Sequence, residues 1–263
     1  MGDWNGKVNF FNLDHSYVPQ ESLREMAPYN WISLEDIPET NLYCSPDAWA
    51  ELRQRILQRQ LGGITFIGSG NYHYLSYLLL LQIQRPFTLI LFDHHTDMKM
   101  ARSSLITCGS WVINAISRLQ YLKQVLIIGV GKERLSTIDP LLLNRVELLP
   151  SSHWSSTELI EQLQQLPTKD VYISIDKDVL DTTDACTNWD QGSMSLDLLI
   201  EALVAISGEK QVLGVDICGE YPTTPADQFS QDSRYAIATN EEANRAILQT
   251  VLKEMRKRPA SKQ

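Results

Sequence analysis

Three short segments concentrate side chains able to bind metal ions and activate water. They are Gly68-Ser69-Gly70-Asn71-Tyr72-His73, Phe92-Asp93-His94-His95-Thr96-Asp97 and Ser174-Ile175-Asp176-Lys177-Asp178-Val179-Leu180-Asp181, and they hold three of the chain's five histidines. Asp93 and Asp97 follow one apolar run, and Asp176 and Asp178 follow another. Carboxylates crowded together raise one another's pKa and destabilise a fold unless a cation sits among them. Lys99 and Lys177 are too few to balance four acids; bound divalent ions would balance them. In extended chain, residues i and i+2 point the same way, so Asp93 with His95, and Asp176 with Asp178, can each aim two ligands at one place.

The ligand set is His73, Asp93, His95, Asp97, Asp176 and Asp178: rich in oxygen, with some nitrogen and no sulfur. Such a set favours a hard or borderline divalent ion, manganese first, with iron, cobalt or nickel also compatible. Six ligands are too many for one catalytic ion that must keep a position open. They suit two ions sharing bridging carboxylates, roughly 3.5 Å apart, with a water between them acidified to near neutrality. Taken alone, His73 reads as a cap or core residue and Asp176 as a turn former. The D-x-H-x-D and D-x-D patterns together, each closing a buried strand, favour metal binding.

The elements that must position these residues follow from periodicity. Short apolar runs predict strands at Val8–Leu13, Ile64–Ile67, Thr88–Phe92, Val125–Ile128, Val146–Leu149, Val171–Ile175 and Val212–Ile217. Most are continuously apolar, as strands covered on both faces require. Helical patterns lie at Pro46–Gln60, Tyr72–Gln84, Ser110–Leu119, Ser156–Gln165, Ser195–Ile206 and Glu241–Arg256. Ser156 with Glu158, Ser195, and Asn240 before Glu241 and Glu242 fit helix starts, where side-chain oxygens cap free N–H groups and acids suit the dipole. This alternation predicts a three-layer α/β/α domain over residues 1–263, with a mostly parallel central sheet. Ligands bind such sheets at the carboxyl ends of the strands.

Composition narrows the partners. The formal net charge is −9 and the pI about 5.1, so an acidic surface disfavours nucleic acid and anionic membranes. No apolar run is long enough to span a bilayer, and Met1–Gly6 lacks the pattern of a secretory signal. Cys44, Cys108, Cys186 and Cys218 are scattered without a CxxC pair, which points to free thiols and a cytoplasmic location. The basic tail Lys253–Lys262 reads as a frayed terminus.

At this point the chain resembles the arginase/agmatinase/formiminoglutamase (ureohydrolase) family. Asp93-His94-His95-Thr96-Asp97 is similar to its D-A-H-x-D motif, with His94 in the alanine position. Ser174–Asp181 resembles S-x-D-x-D-x-x-D-P, and Gly68–His73 resembles G-G-D-H-S loosely. The resemblance implies the arginase/deacetylase fold and a dimanganese centre. His73, Asp93, Asp97 and Asp176 would hold one ion and Asp93, His95, Asp176 and Asp178 the other. It also implies hydrolysis of a C–N bond in a guanidino or amidino compound through a metal-bridging hydroxide. Gly214–Pro222 is similar to the family's D-x-x-E-x-x-P with one extra residue, which makes Glu220 the implied contact to a cationic substrate head.

The departures surround the substrate rather than the metals. Thr107-Cys108-Gly109 stands where the family has His-Gly, so Cys108 is the candidate for proton transfer, beside Asp178 and Glu220 as catalytic candidates. Thr182 replaces the proline after Asp181, and Thr187-Asn188-Trp189-Asp190-Gln191-Gly192 replaces a Pro-Gly-rich stretch. Lys99 stands at the position of an asparagine that binds the substrate carboxylate. Lys99, Glu220 and Asn188 are thus the expected substrate contacts, and arginine itself is not the expected substrate. The family also suggests a homo-oligomer. Competing readings are a deacetylase-like amidohydrolase on the same fold, a two-metal phosphoesterase suggested by Gly70-Asn71-Tyr72-His73 but with its motifs in reversed order, and a non-catalytic metal-binding regulatory protein.

Overall fold

The structure is a computed structural model that describes residues 6–59, 61–99, 105–131, 140–150, 156–224, 226 and 229–256. In chain order the elements are β1 (Val8–Asn12), α1 (Glu21–Arg24), β2 (Tyr29–Ser33), β3 (Tyr43–Cys44), α2 (Pro46–Leu57), β4 (Gly63–Gly68), α3 (Ser76–Leu80), β5 (Phe87–Phe92), β6 (Ile106–Thr107) and α4 (Trp111–Arg118). There follow β7 (Leu122–Val130), β8 (Val146–Pro150), α5 (Ser156–Gln165), β9 (Asp170–Asp176), α6 (Leu196–Glu209), β10 (Gln211–Cys218) and α7 (Gln231–Arg256). Eight strands form one sheet in the order β2-β1-β4-β10-β9-β5-β7-β8, and every pairing in it is parallel.

The sequence explains this sheet. The runs Gly63–Gly68 and Phe87–Phe92 are buried at every position, because helices cover both faces and leave no side for polar residues. One face packs Leu52 and Ile56 of α2, Leu78 of α3 and Trp111 and Ile116 of α4. The other packs Leu159 of α5, Leu203 of α6 and Ile247 and Val251 of α7. Each such side chain contributes about 1.5–3 kcal/mol when fully buried. Helix starts are set locally. Ser45 accepts the Ala48 N–H at the head of α2, with Pro46 just inside it, and Ser195 accepts the Leu198 N–H at the head of α6. Both caps supply an acceptor to an N–H that has no partner within the helix.

Several expectations need correction. The two-residue strands β3 and β6 pair antiparallel, and β2 extends the sheet beyond β1; these and α1 are too short or too polar to register as apolar runs. Tyr72–Gln84 is not one helix: Gly70–Leu75 forms tight 3-10 turns, and α3 occupies only Ser76–Leu80. α7 starts at Gln231 rather than Glu241. Asn240 is a buried mid-helix residue whose side-chain amide bonds the backbone N–H and C=O of Cys186, so it pins a loop and caps nothing. Lys253 and Arg256 lie in the last turn of α7, beside buried Glu254 and Met255, so the basic stretch begins as packed helix; residues 257–263 are outside the described residues. α5 begins at Ser156 as expected, but the residue before it is also outside them. All four cysteines are free. Among the described residues no helix is long and apolar enough to cross a membrane.

Candidate metal centre

In the run of neighbouring strands β4-β10-β9-β5, strands β4, β9 and β5 deliver the three motifs to one place. β5 and β9 pair directly, with Phe92 opposite Ile175, so Asp93 and Asp176 emerge side by side from their carboxyl ends. His73 arrives from the turns after β4, which Ser69 starts by accepting the Asn71 N–H. The i, i+2 pairs do converge, but through tight turns rather than extended chain. Asp178 lies in a 3-10 turn whose N–H donates to Asp176 Oδ1 at 3.0 Å, and the His95 N–H folds back onto Asp93 Oδ1 at 2.5 Å.

The six expected ligands form one cluster. Three overlapping groups have ligand atoms within 4.8 Å of one another: His73, Asp93 and Asp97; Asp93, His95 and Asp178; and His73, Asp176 and Cys218. Asp93 is common to the first two groups. His73 Nδ1 lies 3.2 Å from Asp97, 3.4 Å from Asp93 and 3.5 Å from Asp176. His95 Nδ1 lies 2.7 Å from Asp178 Oδ2. The Trp111 indole N–H holds Asp97 Oδ2 at 2.6 Å, and Cys218 Sγ sits 3.3 Å from Asp176 Oδ2. Gly219, with φ +90, allows this crowding: a Cβ there would stand 2.6 Å from Asp176 Oδ1.

Electrostatics make the metal-free cluster costly. Two unit charges about 4 Å apart repel by about 4 kcal/mol at an effective dielectric of about 20, so four buried carboxylates must recruit positive charge. Burial, then repulsion from Asp178 and Asp97, pushes the Asp93 carboxyl well above its ordinary range. Burial and Asp178 raise Asp176 to about 6. Burial opposes charge on His73, but Asp97, 3.2 Å from its Nδ1, and the other acids around it outweigh burial and hold its pKa up at about 10. His95 is held up at about 11 against burial in the same way, through Asp178 and Asp93.

A hydrogen-bond chain shows what His73 is oriented to do. Ser174 Oγ donates its single proton to Asp216 Oδ1 at 2.7 Å, so it accepts from His73 Nε2 at 2.9 Å. A neutral ring would then turn its Nδ1 lone pair toward three carboxylates, so Nδ1 must hold either a proton or a metal ion. His73 Nδ1 and Asp93 Oδ2 are buried and make no hydrogen bond. A lone pair aimed at carboxylate oxygens is unfavourable unless a cation lies between them, and an oxygen-rich set with two imidazoles suits manganese-like ions. The residues therefore fit a divalent metal pair. Ser174, Asp216 and Cys218 lie in segments the sequence singles out, but their contacts with His73 and Asp176 depend on strand register and carry no signal in the sequence.

The cluster floors a cavity of about 380 Å³. Above the acids its wall is largely apolar, with Leu42, Tyr43 and Trp189 beside Thr107, Cys108 and Lys99. Lys99 is thus at the cavity. Cys108 is too, but burial, then the charge of Asp97, holds its thiol up at about 12, so it is a neutral S–H at ordinary pH. Asn188 does not line the cavity: Ser69 Oγ donates to its Oδ1 at 3.2 Å and its Nδ2 donates to Asn71 at 3.0 Å. Glu220 does not line it either. It is 2% exposed, ion-paired with Lys177, and accepts from Gln20 and Asn244 at 2.8 and 2.7 Å. Lys177 likewise faces Glu220 rather than the four acids.

The arginase family's sequence pattern matches residues 22–248. An uncharacterized protein of Thermotoga maritima is 32% identical over 213 residues, 81% of this chain and 79% of its own. Formimidoylglutamase from Bacillus subtilis superposes with a TM-score of 0.69 at 17% identity, covering 98% of this chain and 89% of that one. Proclavaminate amidino hydrolase from Streptomyces clavuligerus gives 0.65 at 15% identity over 95% and 93% of the two chains. Arginase from Bacillus caldovelox gives 0.61 at 16% over 94% and 98%. At these identities the solved structures establish the fold, a three-layer α/β architecture built on a parallel sheet.

Proposed function

The chain belongs to the arginase family, and from that premise we propose that it is a binuclear divalent-metal hydrolase cleaving a C–N bond in a guanidino or amidino compound. One observation carries the reading: His73 Nδ1 and Asp93 Oδ2 are buried, face each other at 3.4 Å and lack hydrogen bonds, in the midst of three further acids. His73, Asp93, Asp97 and Asp176 would hold one cation, and Asp93, His95, Asp176 and Asp178 the other, with manganese the first choice. Bound there, such a pair supplies charge neutralisation and acidifies a water to near neutrality, providing the attacking nucleophile.

The chain's own residues do the rest. Asp178 is held by the His94 N–H at 3.0 Å and faces His95; it would take a proton from the attacking water. Trp189, Tyr43 and Leu42 wall the cavity above the acids. Lys99 would attract the anionic end of a substrate whose amidino group lies over the cluster. Glu220 serves the fold, as its buried partners indicate, and Cys108 contributes a neutral thiol. A second reading, a non-catalytic metal-binding protein, draws on Cys108 and Glu220: neither offers the cavity a free acid or base. We further propose a cytoplasmic enzyme that acts as a homo-oligomer.

Metal analysis joined to a urea- and ammonia-release screen over guanidino, ureido and formimino compounds tests this. The expected result is a pair of metals per chain and turnover that Asp176→Ala abolishes. A protein that stays metal-free after manganese loading would overturn the proposal. Full metal loading with no turnover on the whole panel would favour the non-catalytic reading.

A further inference from the structure

His95 is gripped from outside the ligand cluster. Its Nδ1 faces Asp178 within the cluster, while its Nε2 lies 2.9 Å from Asp190 Oδ1. Trp189, next to Asp190, packs edge-on against the same ring, with centroids 5.8 Å apart and planes at 73°. Asp190 is exposed, yet its loop is not loosely hung. The Thr187 N–H donates to Gln191 Oε1 at 3.1 Å, and Gln191 Nε2 donates to the carbonyls of Leu180 and Ala185. The Gly192 N–H donates to the Asp178 carbonyl at 2.6 Å, and Gly192 runs so close that a Cβ would stand 2.5 Å from the Val179 carbonyl oxygen. The loop is thus fastened to the strand end that carries Asp176 and Asp178.

A metal-facing imidazole must aim one nitrogen's lone pair at the ion and carry its proton on the other. A carboxylate on that second nitrogen fixes the tautomer and ring plane and makes the ring a stronger donor. Asp190 is placed to do this for His95, whereas Ser174 and Asp216, buried in the sheet, do it for His73. The two imidazoles are oriented by separate devices, one in the core and one on a surface loop. We infer that Asp190 is a positioning residue for His95, setting the metal affinity of the Asp93–His95–Asp178 group separately from that of the His73 group. This rests on the binuclear reading above.

The test is titration of the metal-free full-length protein with Mn2+ by calorimetry, repeated with Co2+ by visible absorption, on wild type, Asp190→Ala and Asp190→Asn. Wild type is expected to show two binding events. Asp190→Ala should weaken one of them by about 10–100-fold and leave the other, and the metal-free melting temperature, unchanged. Asp190→Asn keeps an acceptor without the charge and should fall between. Equal titrations for all three proteins, or equal weakening of both events, would overturn the assignment. If wild type itself binds fewer than two ions, the binuclear reading fails and this inference fails with it.

Discussion

Replacing Lys177 with methionine removes one half of a buried ion pair and leaves its partner stranded. Lys177 is 0% and Glu220 2% exposed, so neither charge can turn to water once the other is gone. Stripping one partner from such a pair typically costs about 3–5 kcal/mol, because an uncompensated charge stays buried. Gln20 and Asn244 still donate to Glu220 at 2.8 and 2.7 Å, which places the expectation at the lower end, about 3 kcal/mol. For chains near this size, each kcal/mol corresponds to roughly 2–4 °C, so Lys177→Met should lower the melting temperature by about 6–12 °C. The assay is urea and thermal unfolding followed by circular dichroism, with Glu220→Gln and the double variant completing a cycle. The double variant should recover most of the loss and bind metal with wild-type stoichiometry, since both residues then fill their places uncharged. A loss below about 1 kcal/mol, the worth of an exposed pair, or a double variant as damaged as the two singles combined, would refute the reasoning.

Manganese uptake at neutral pH should release protons. His73 and His95, ordinarily titrating near 6.5, are held up at about 10 and about 11 in the metal-free cluster, so each carries a proton that a cation must displace. Apparent affinity should therefore rise with pH up to about 11; calorimetry in buffers of different ionisation enthalpy measures the release, and a pH-independent affinity would contradict it. Ser174→Ala removes the acceptor of His73 Nε2; it should weaken metal binding about 10–100-fold and cost about 1–3 kcal/mol in denaturant unfolding. Gly219→Ala sets a Cβ 2.6 Å from Asp176 Oδ1 at a φ of +90; overpacking of about 1–3 kcal/mol and left-handed strain of about 1–2 kcal/mol should appear as lost stability and lost metal. An unchanged metal content in that variant would show that Asp176 can move aside without penalty.

Short, mostly apolar runs such as those of β5 and β7, alternating with helical patterns, have the form of strands covered on both faces, which made a parallel sheet legible in the sequence. The candidate metal-binding cluster was legible because its chemistry is local: acids and imidazoles two residues apart at the end of a buried strand have few other uses. Local signals also misled. Asn240 before Glu241 has the form of a helix cap, yet it sits inside α7 because its amide found Cys186 across the structure. Tyr72–Gln84 has helical periodicity, yet the chain tightens at Gly70–Leu75 to deliver His73.

What the chain order could not reveal is which strands stand side by side. β10, the last strand, inserts between β4 and β9. That insertion sets Asp216 opposite Ser174 in register, completing the chain to His73, and brings Gly219 against Asp176. Glu220 looked like a free acid near a substrate because nothing in the sequence tells an acid that meets a lysine from one that meets water. Residue type fixes what a side chain can do, and it is therefore readable in one dimension. Which partner it meets depends on strand order and register, settled by packing over the whole sheet, and so only the folded chain assigns Glu220 to Lys177 and Asp190 to His95.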